Sequence, residues 1–263
     1  SNVTVTVEIN APAPDAVADE IELRLNSSTG AFEVITNGLL TSYLVPDGLE
    51  LTSNVITSTD DLFLTINNEN GGLIDSIINY DGGTGDDLRV IGSGTPSEAG
   101  QYNAGLPDPI SITDSISGRS QTVIFGEDVG PVDIWNLAAL TFITSDSNDV
   151  VALTAGTDAH QGFQSTLVIS GSSGGTMFQP VHVRDTPILE LDLAVNDGAN
   201  ADDQVTINDG SLVANPALTE FTVSTGNGID TFDIKEDDYT ISRLTLDGGI
   251  GTDRLIITAD VGL

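Results

Sequence analysis

Asp203-Gln204-Val205-Thr206-Ile207-Asn208-Asp209-Gly210 is followed 27 positions on by Asp230-Thr231-Phe232-Asp233-Ile234, and 23 further by Asp253-Arg254-Leu255-Ile256-Ile257. Each segment is an Asp, any residue, then an apolar residue that opens a short alternating stretch. Period-two alternation bounded by Gly, Asn and Asp is the mark of a strand and excludes a helical periodicity. The same Asp-x-apolar unit recurs at Asp19/Ile21, Asp60/Leu62, Asp86/Leu88, Asp114/Ile116 and Asp149/Val151, with Thr176 before Phe178 where one Asp is missing. From Asp60 onward the intervals are 26, 28, 35, 27, 27, 27 and 23 residues, the longest absorbing residues 126–131 as an insert between coils. The 41 residues from Asp19 to Asp60 are read as two short coils, the middle one marked near residues 37–43.

Self-similarity at a fixed period points to a solenoid, in which each repeat buries its apolar face against its neighbours. Three short strands per coil are read most clearly after Asp203: Val205/Ile207, then Leu212/Val213, then Leu218, Phe221 and Val223. The next coil repeats them as Phe232/Ile234, Tyr239/Ile241 and Leu244/Leu246. A two-strand calcium β-roll needs only about 18 residues per turn, so the longer period favours three faces. The expected fold is therefore all-β: a right-handed parallel β-helix of about ten coils of roughly 23–28 residues, with residues 1–263 forming a single elongated module. Val205, Phe232 and Leu255 are expected on one inward ladder with strands ~4.8 Å apart. Strand edges at residues 3–9 and 254–258 are expected to meet neighbouring modules or identical subunits end to end.

Charge narrows the partners. Forty acidic residues oppose seven basic ones, for a net charge of -33. A surface of that sign repels nucleic acid and acidic lipid, and no apolar run approaches the ~20 residues of a membrane span. Neither nucleic-acid binding nor membrane insertion is expected. Among the acids, 29 are Asp and 11 are Glu. Asp forms turns and ligates calcium, whereas Glu favours helices, so the acid is expected in the turns. With no cysteine, disulfides and thiolate metal sites are excluded.

Gly248-Gly249-Ile250-Gly251-Thr252-Asp253-Arg254-Leu255-Ile256 meets every specified position of the nine-residue GGxGxDxUx calcium repeat. Weaker copies lie at Thr225 to Phe232, at Ala199 to Val205, which keeps only the Asp and the apolar residue, and at Gly82-Gly83-Thr84-Gly85-Asp86-Asp87-Leu88, which is one residue shorter. Stacked turns would bring carboxylates together every ~4.8 Å, with repulsion of about 3 kcal/mol at an effective dielectric of 20. A cation between coils removes that repulsion, and calcium suits flexible oxygen-only ligands better than magnesium. The expected calcium ligands are Asp81, Asp86, Asp87, Asp197, Asp202, Asp203, Asp230, Asp247 and Asp253.

These motifs make the chain resemble the repeat regions of giant extracellular and surface proteins of planctomycete-like bacteria, with haemolysin-type (RTX-like) calcium-binding repeats. The segments that carry the resemblance are Ala18-Asp19-Glu20-Ile21-Glu22-Leu23-Arg24-Leu25 and Leu244-Thr245-Leu246-Asp247-Gly248-Gly249. The resemblance implies a secreted, cell-surface location, tandem modules, and a structural or adhesive role toward cell-surface glycans or neighbouring modules. A self-assembling filament or surface-layer subunit is the first alternative. A β-helix polysaccharide-active enzyme is the second, but its acid/base candidates Asp86/Asp87, Asp202/Asp203 and Asp237/Asp238 are sequence neighbours, which point to opposite faces of a strand. His160 and His182 lack any nucleophile or zinc-motif context. Trp135 alternates with Val132 and Leu137 as a packing residue would. No catalytic residue is expected.

Overall fold

Strands form where alternation is strongest, and each shows the burial that alternation dictates: Ser76–Asp81 and Glu98–Ala104 bury every second residue. The computed structural model describes residues 4–10, 18–44, 50–56, 61–105, 109–126, 128–160, 162–198, 201–235 and 241–258. Asp60, Tyr239 and the Asp237/Asp238 pair lie outside them. The described chain is all-β, with long mixed sheets and no helix. It divides into two compact units, residues 1–100 with 106–138, and residues 101–105 with 139–263.

In the first unit, successive strands alternate between two parallel runs. One run pairs Thr4–Asn10, Glu50–Ile56, Ser76–Asp81 and Ser120–Phe125 in that order. The other pairs Asp19–Leu25, Leu62–Asn67, Asp87–Ile91 and Val132–Trp135. Along the second run Ile21, Leu64, Leu88 and Val132 stand in register, as do Leu23, Ile66, Val90 and Ile134, and all eight are buried. Leu62 lies opposite Asp19, two residues from its expected rung. A two-residue shift keeps every side chain on its own face, so the core is unaffected. Arg89 lies with its guanidinium 3.8 Å from the Trp135 ring centroid and pairs with buried Asp133 at 2.8 Å, so Trp135 packs within the wall. Gly126 and residues 128–131 belong to the connection from Ser120–Phe125 to Val132–Trp135.

The second unit repeats the plan. Ala139–Thr144, Ile188–Asp192, Glu220–Ser224 and Arg243–Asp247 form one parallel run, and Val150–Thr157, Gln204–Ile207, Thr231–Ile234 and Arg254–Ile257 form the other. Val151, Val205, Phe232 and Leu255 occupy one register line. The expected ladder of the last three is present, although Leu255 is 54% exposed on an edge strand. Pairing of Asn227–Gly228 with Ile250–Gly251 adds a short third sheet.

Four expectations are corrected. Asp114/Ile116 does not open a coil: Ile110–Asp114 folds back antiparallel on Ser120–Phe125, and Ile116 sits exposed in the hairpin turn. Thr176/Phe178 likewise belongs to a hairpin, with Ser165–Ser173 antiparallel to both Val150–Thr157 and Thr176–Arg184. Residues 37–43, read as the middle short coil, are the end of the antiparallel series Asp19–Leu25, Phe32–Thr36 and Leu39–Tyr43. Nor do Leu212 and Val213 form a strand. Asn208 to Leu218 instead close through consecutive short-range backbone bonds, Ser211 to Asn208, Ala214 to Ser211, Asn215 to Leu212 and Leu218 to Asn215, while Leu212 plugs the core from the turn. Pro216 after Asn215 disfavours helical continuation there.

Candidate metal centre

The repeated Asp residues of the second unit have a backbone task. Asp230 N donates to Asp253 Oδ1 at 3.3 Å, Asp203 N to Asp230 Oδ1 at 2.9 Å, and Asp149 N to Asp203 Oδ1 at 2.7 Å. Each carboxylate thus caps the N–H at the equivalent position one rung earlier. In the first unit Asp86 does the same, accepting from Leu62 N at 2.7 Å through Oδ1 and from Gly83 N at 2.6 Å through Oδ2. Buried N–H groups must be paired, and this requirement alone accounts for much of the Asp periodicity. Asp86→Ala is expected to cost about 2 kcal/mol by stranding those two donors, read as a lower urea midpoint with an unchanged slope.

The ladder ends at Asp149. The strand beyond Val150–Thr157 is Ser165–Ser173, which runs antiparallel, with Val150 opposite Ser172 and Val151 opposite Gly171. No equivalent N–H is presented there, and neither buried oxygen of Asp149 has a partner in good hydrogen-bonding geometry, its polar neighbours being the Thr144 and Ser173 hydroxyls. Asp203 Oδ2 and Asp197 Oδ1 are in the same condition, whereas Asp230 Oδ2 receives the Thr225 hydroxyl at 2.8 Å. Asp149 and Asp203 are 0% and 2% exposed, and Asp197 is half-buried. One oxygen from each of Asp149, Asp197 and Asp203 lies within 4.8 Å of the others, the one such cluster among the described residues.

Two turns build the cluster, one before Val150–Thr157 and one before Gln204–Ile207. They are stitched together by Asn196 Nδ2 to Thr144 O at 2.6 Å, Gly198 N to Ser147 Oγ at 2.8 Å, and Asp202 N to Asn148 Oδ1 at 3.0 Å. Asn148 adopts a left-handed φ of 60°, a conformation Asn tolerates better than most residues. Asp197 Oδ2 accepts from Asn227 N at 3.2 Å, bringing in a third turn.

Electrostatics follow from burial. Asp149 is pushed up to about 6, first by burial, then by Asp197 and Asp146, with the neighbouring hydroxyls of Thr144 and Ser173 opposing. Asp203 is pushed up to about 7 by burial, then by Asp197, Asp149 and Asp230, against the hydrogen bond from Asp149 N. Asp197 and Asp230 are also raised, mainly by burial. Three carboxylates this close hold a shared proton or a cation at neutral pH. Oxygens within 4.8 Å of one another can be bridged by calcium's bonds of about 2.3–2.6 Å; magnesium's, at about 2.0–2.1 Å, reach less far.

The other expected ligands lie elsewhere. Asp81, Asp86 and Asp87 belong to the first unit. Asp202 is exposed and accepts from Ile229 N at 2.8 Å. Asp247 is exposed and accepts from Gly249 N at 3.0 Å, and Asp253, at the best motif match, is exposed with Oδ1 facing Asp230 N. Of the nine, the structure brings Asp197 and Asp203 into the cluster. Asp149 was not among them: it belongs to the Asp-x-apolar series, but its turn, Ser145-Asp146-Ser147-Asn148, has no glycine. Asp86 is buried where Asp87 is half-buried, and Asp203 is buried where Asp202 is exposed, so neither neighbouring pair converges on one point.

No family model matches the chain, and no curated protein or solved structure is detectably similar to it. Among the described residues no helix is long and apolar enough to cross a membrane.

Proposed function

We propose that the chain is a non-catalytic structural module, stabilised by calcium, from a secreted or cell-surface protein, serving as an adhesive or spacing element. The observation that carries this reading is the pair of parallel runs in each unit, in which every added strand extends an apolar ladder, together with the return of Asp149, Asp203, Asp230 and Asp253 to one rung of the second unit. Such an arrangement is read within each unit as a β-helical stack interrupted by hairpins. It grows by repetition, as the repeat regions that the sequence resembles would. Calcium is the cofactor of this reading because the Asp149 cluster offers buried, unpaired oxygen and nothing softer. Partners are neighbouring modules or identical subunits, with cell-surface glycans as ligands.

A polysaccharide panel tests it. Incubated with neutral and acidic glycans in calcium, the protein is expected to release no oligosaccharide; release of reducing ends or unsaturated products would overturn the scaffold assignment. A filament subunit is favoured by one specific feature, the exposed apolar residues Leu39, Leu40, Leu255 and Ile257 on edge strands, since open edges template pairing. Negative-stain microscopy with and without calcium separates the two: filaments support that second reading, discrete particles under both conditions reject it.

A further inference from the structure

Resting on the calcium-stabilised reading above, we infer that the second unit binds one hard divalent cation at Asp149, Asp197 and Asp203, and that its glycine-rich turns are not cation sites. A periodic acidic sequence suggests an array, one ion per turn. The hydrogen bonding argues against an array. Asp230 has both carboxylate oxygens engaged, one by Asp203 N and one by the Thr225 hydroxyl. Asp247 and Asp253 each engage one oxygen with backbone and lie at the surface, where water solvates the other.

At the antiparallel hairpin the logic inverts. Because Ser165–Ser173 runs against Val150–Thr157, Asp149 keeps its donor role toward Asp203 but has no N–H to accept from. Four unpaired oxygens result, two on Asp149 and one each on Asp197 and Asp203. The buried Thr144 hydroxyl stands beside Asp149 and offers a further neutral oxygen. A buried carboxylate oxygen without a partner is among the costliest groups in a fold, and three carboxylates that each turn such an oxygen toward one point attract a divalent ion more strongly than one does. An all-oxygen set of this kind suits hard cations such as calcium, magnesium and manganese, and the 4.8 Å spacing favours the largest of them, calcium. Interruption of the parallel ladder thus creates the site, and the ion fixes the turn before the hairpin to the turn before Gln204–Ile207.

Calorimetric titration of the full chain with calcium chloride, repeated by terbium luminescence, tests the assignment. One ion per chain is expected, with affinity falling at least tenfold in Asp149→Asn and in Asp197→Asn and unchanged within twofold in Asp253→Asn and Asp247→Asn. Asp197 is half-buried, so its variant serves should Asp149→Asn fail to fold. Several ions per chain, with binding lost in Asp253→Asn, would overturn the single site while leaving a calcium-stabilised module standing. Absence of saturable binding up to millimolar calcium would remove both the site and the calcium part of that reading.

Discussion

Asp149→Asn is expected to raise the melting temperature of the calcium-free protein at neutral pH while removing most of its response to calcium. The sign follows from burial. Asp149 is raised from 3.8 to about 6, so the folded state holds a proton that the unfolded state releases. For such a group, stability is fully present below the unfolded value and is lost as pH rises through the folded one. At about 1.4 kcal/mol per pKa unit, ionised Asp149 costs roughly 3 kcal/mol near pH 7.5, and Asn, similar in shape and uncharged, avoids that cost. The advantage should shrink to under about 1 kcal/mol by pH 4, where folded Asp149 is protonated and the unfolded carboxyl is close to half protonated, and vanish below the unfolded value. Melts of wild type and variant at pH 4, 6 and 7.5 in chelator check this. A variant less stable than wild type at pH 7.5 without calcium would show that Asp149 serves an ordinary hydrogen-bonding role.

Phe142→Ala should lower stability by about 3–5 kcal/mol, the range for emptying a large aromatic from a packed core. Phe142 is fully buried, and its ring lies 5.2 Å from Tyr102 in a stacked arrangement and 5.2 Å from Phe178 in a tilted one. It occupies a register line with Leu191, Val223 and Leu246, and it also gives the Thr176–Arg184 strand of the hairpin an aromatic contact. The urea midpoint should fall with little change in slope. A loss under about 1 kcal/mol would mean that the surrounding side chains collapse into the space.

Much of the strand pattern was legible because alternation is local. Val205, Phe232 and Leu255 share a register line as their Asp-x-apolar spacing implies. Strand direction was not legible, since a hairpin and a further parallel rung both read as apolar alternation between turns. The 28- and 27-residue intervals leading to Asp114 and Thr176 therefore read as coils, although each leads into an antiparallel hairpin. The same blindness hid Asp149. Its missing partner is set by the direction of Ser165–Ser173, a property of the sheet and not of the turn. Conversely, the Gly248 to Ile256 motif is perfect as a string, yet its Asp253 lies exposed with one oxygen engaged by Asp230 N. Asp197 and Asp203 were legible because both flank the same turn in the Asp series.

The most direct test of a cation-clamped scaffold is a thermal melt of the full chain at neutral pH, in millimolar calcium and then in excess chelator. Binding to the folded state alone stabilises it by about 2.7 kcal/mol at one hundred times the dissociation constant, so the calcium curve should lie several degrees higher and return to the lower one on chelation. Coincident curves throughout the millimolar range would contradict the account.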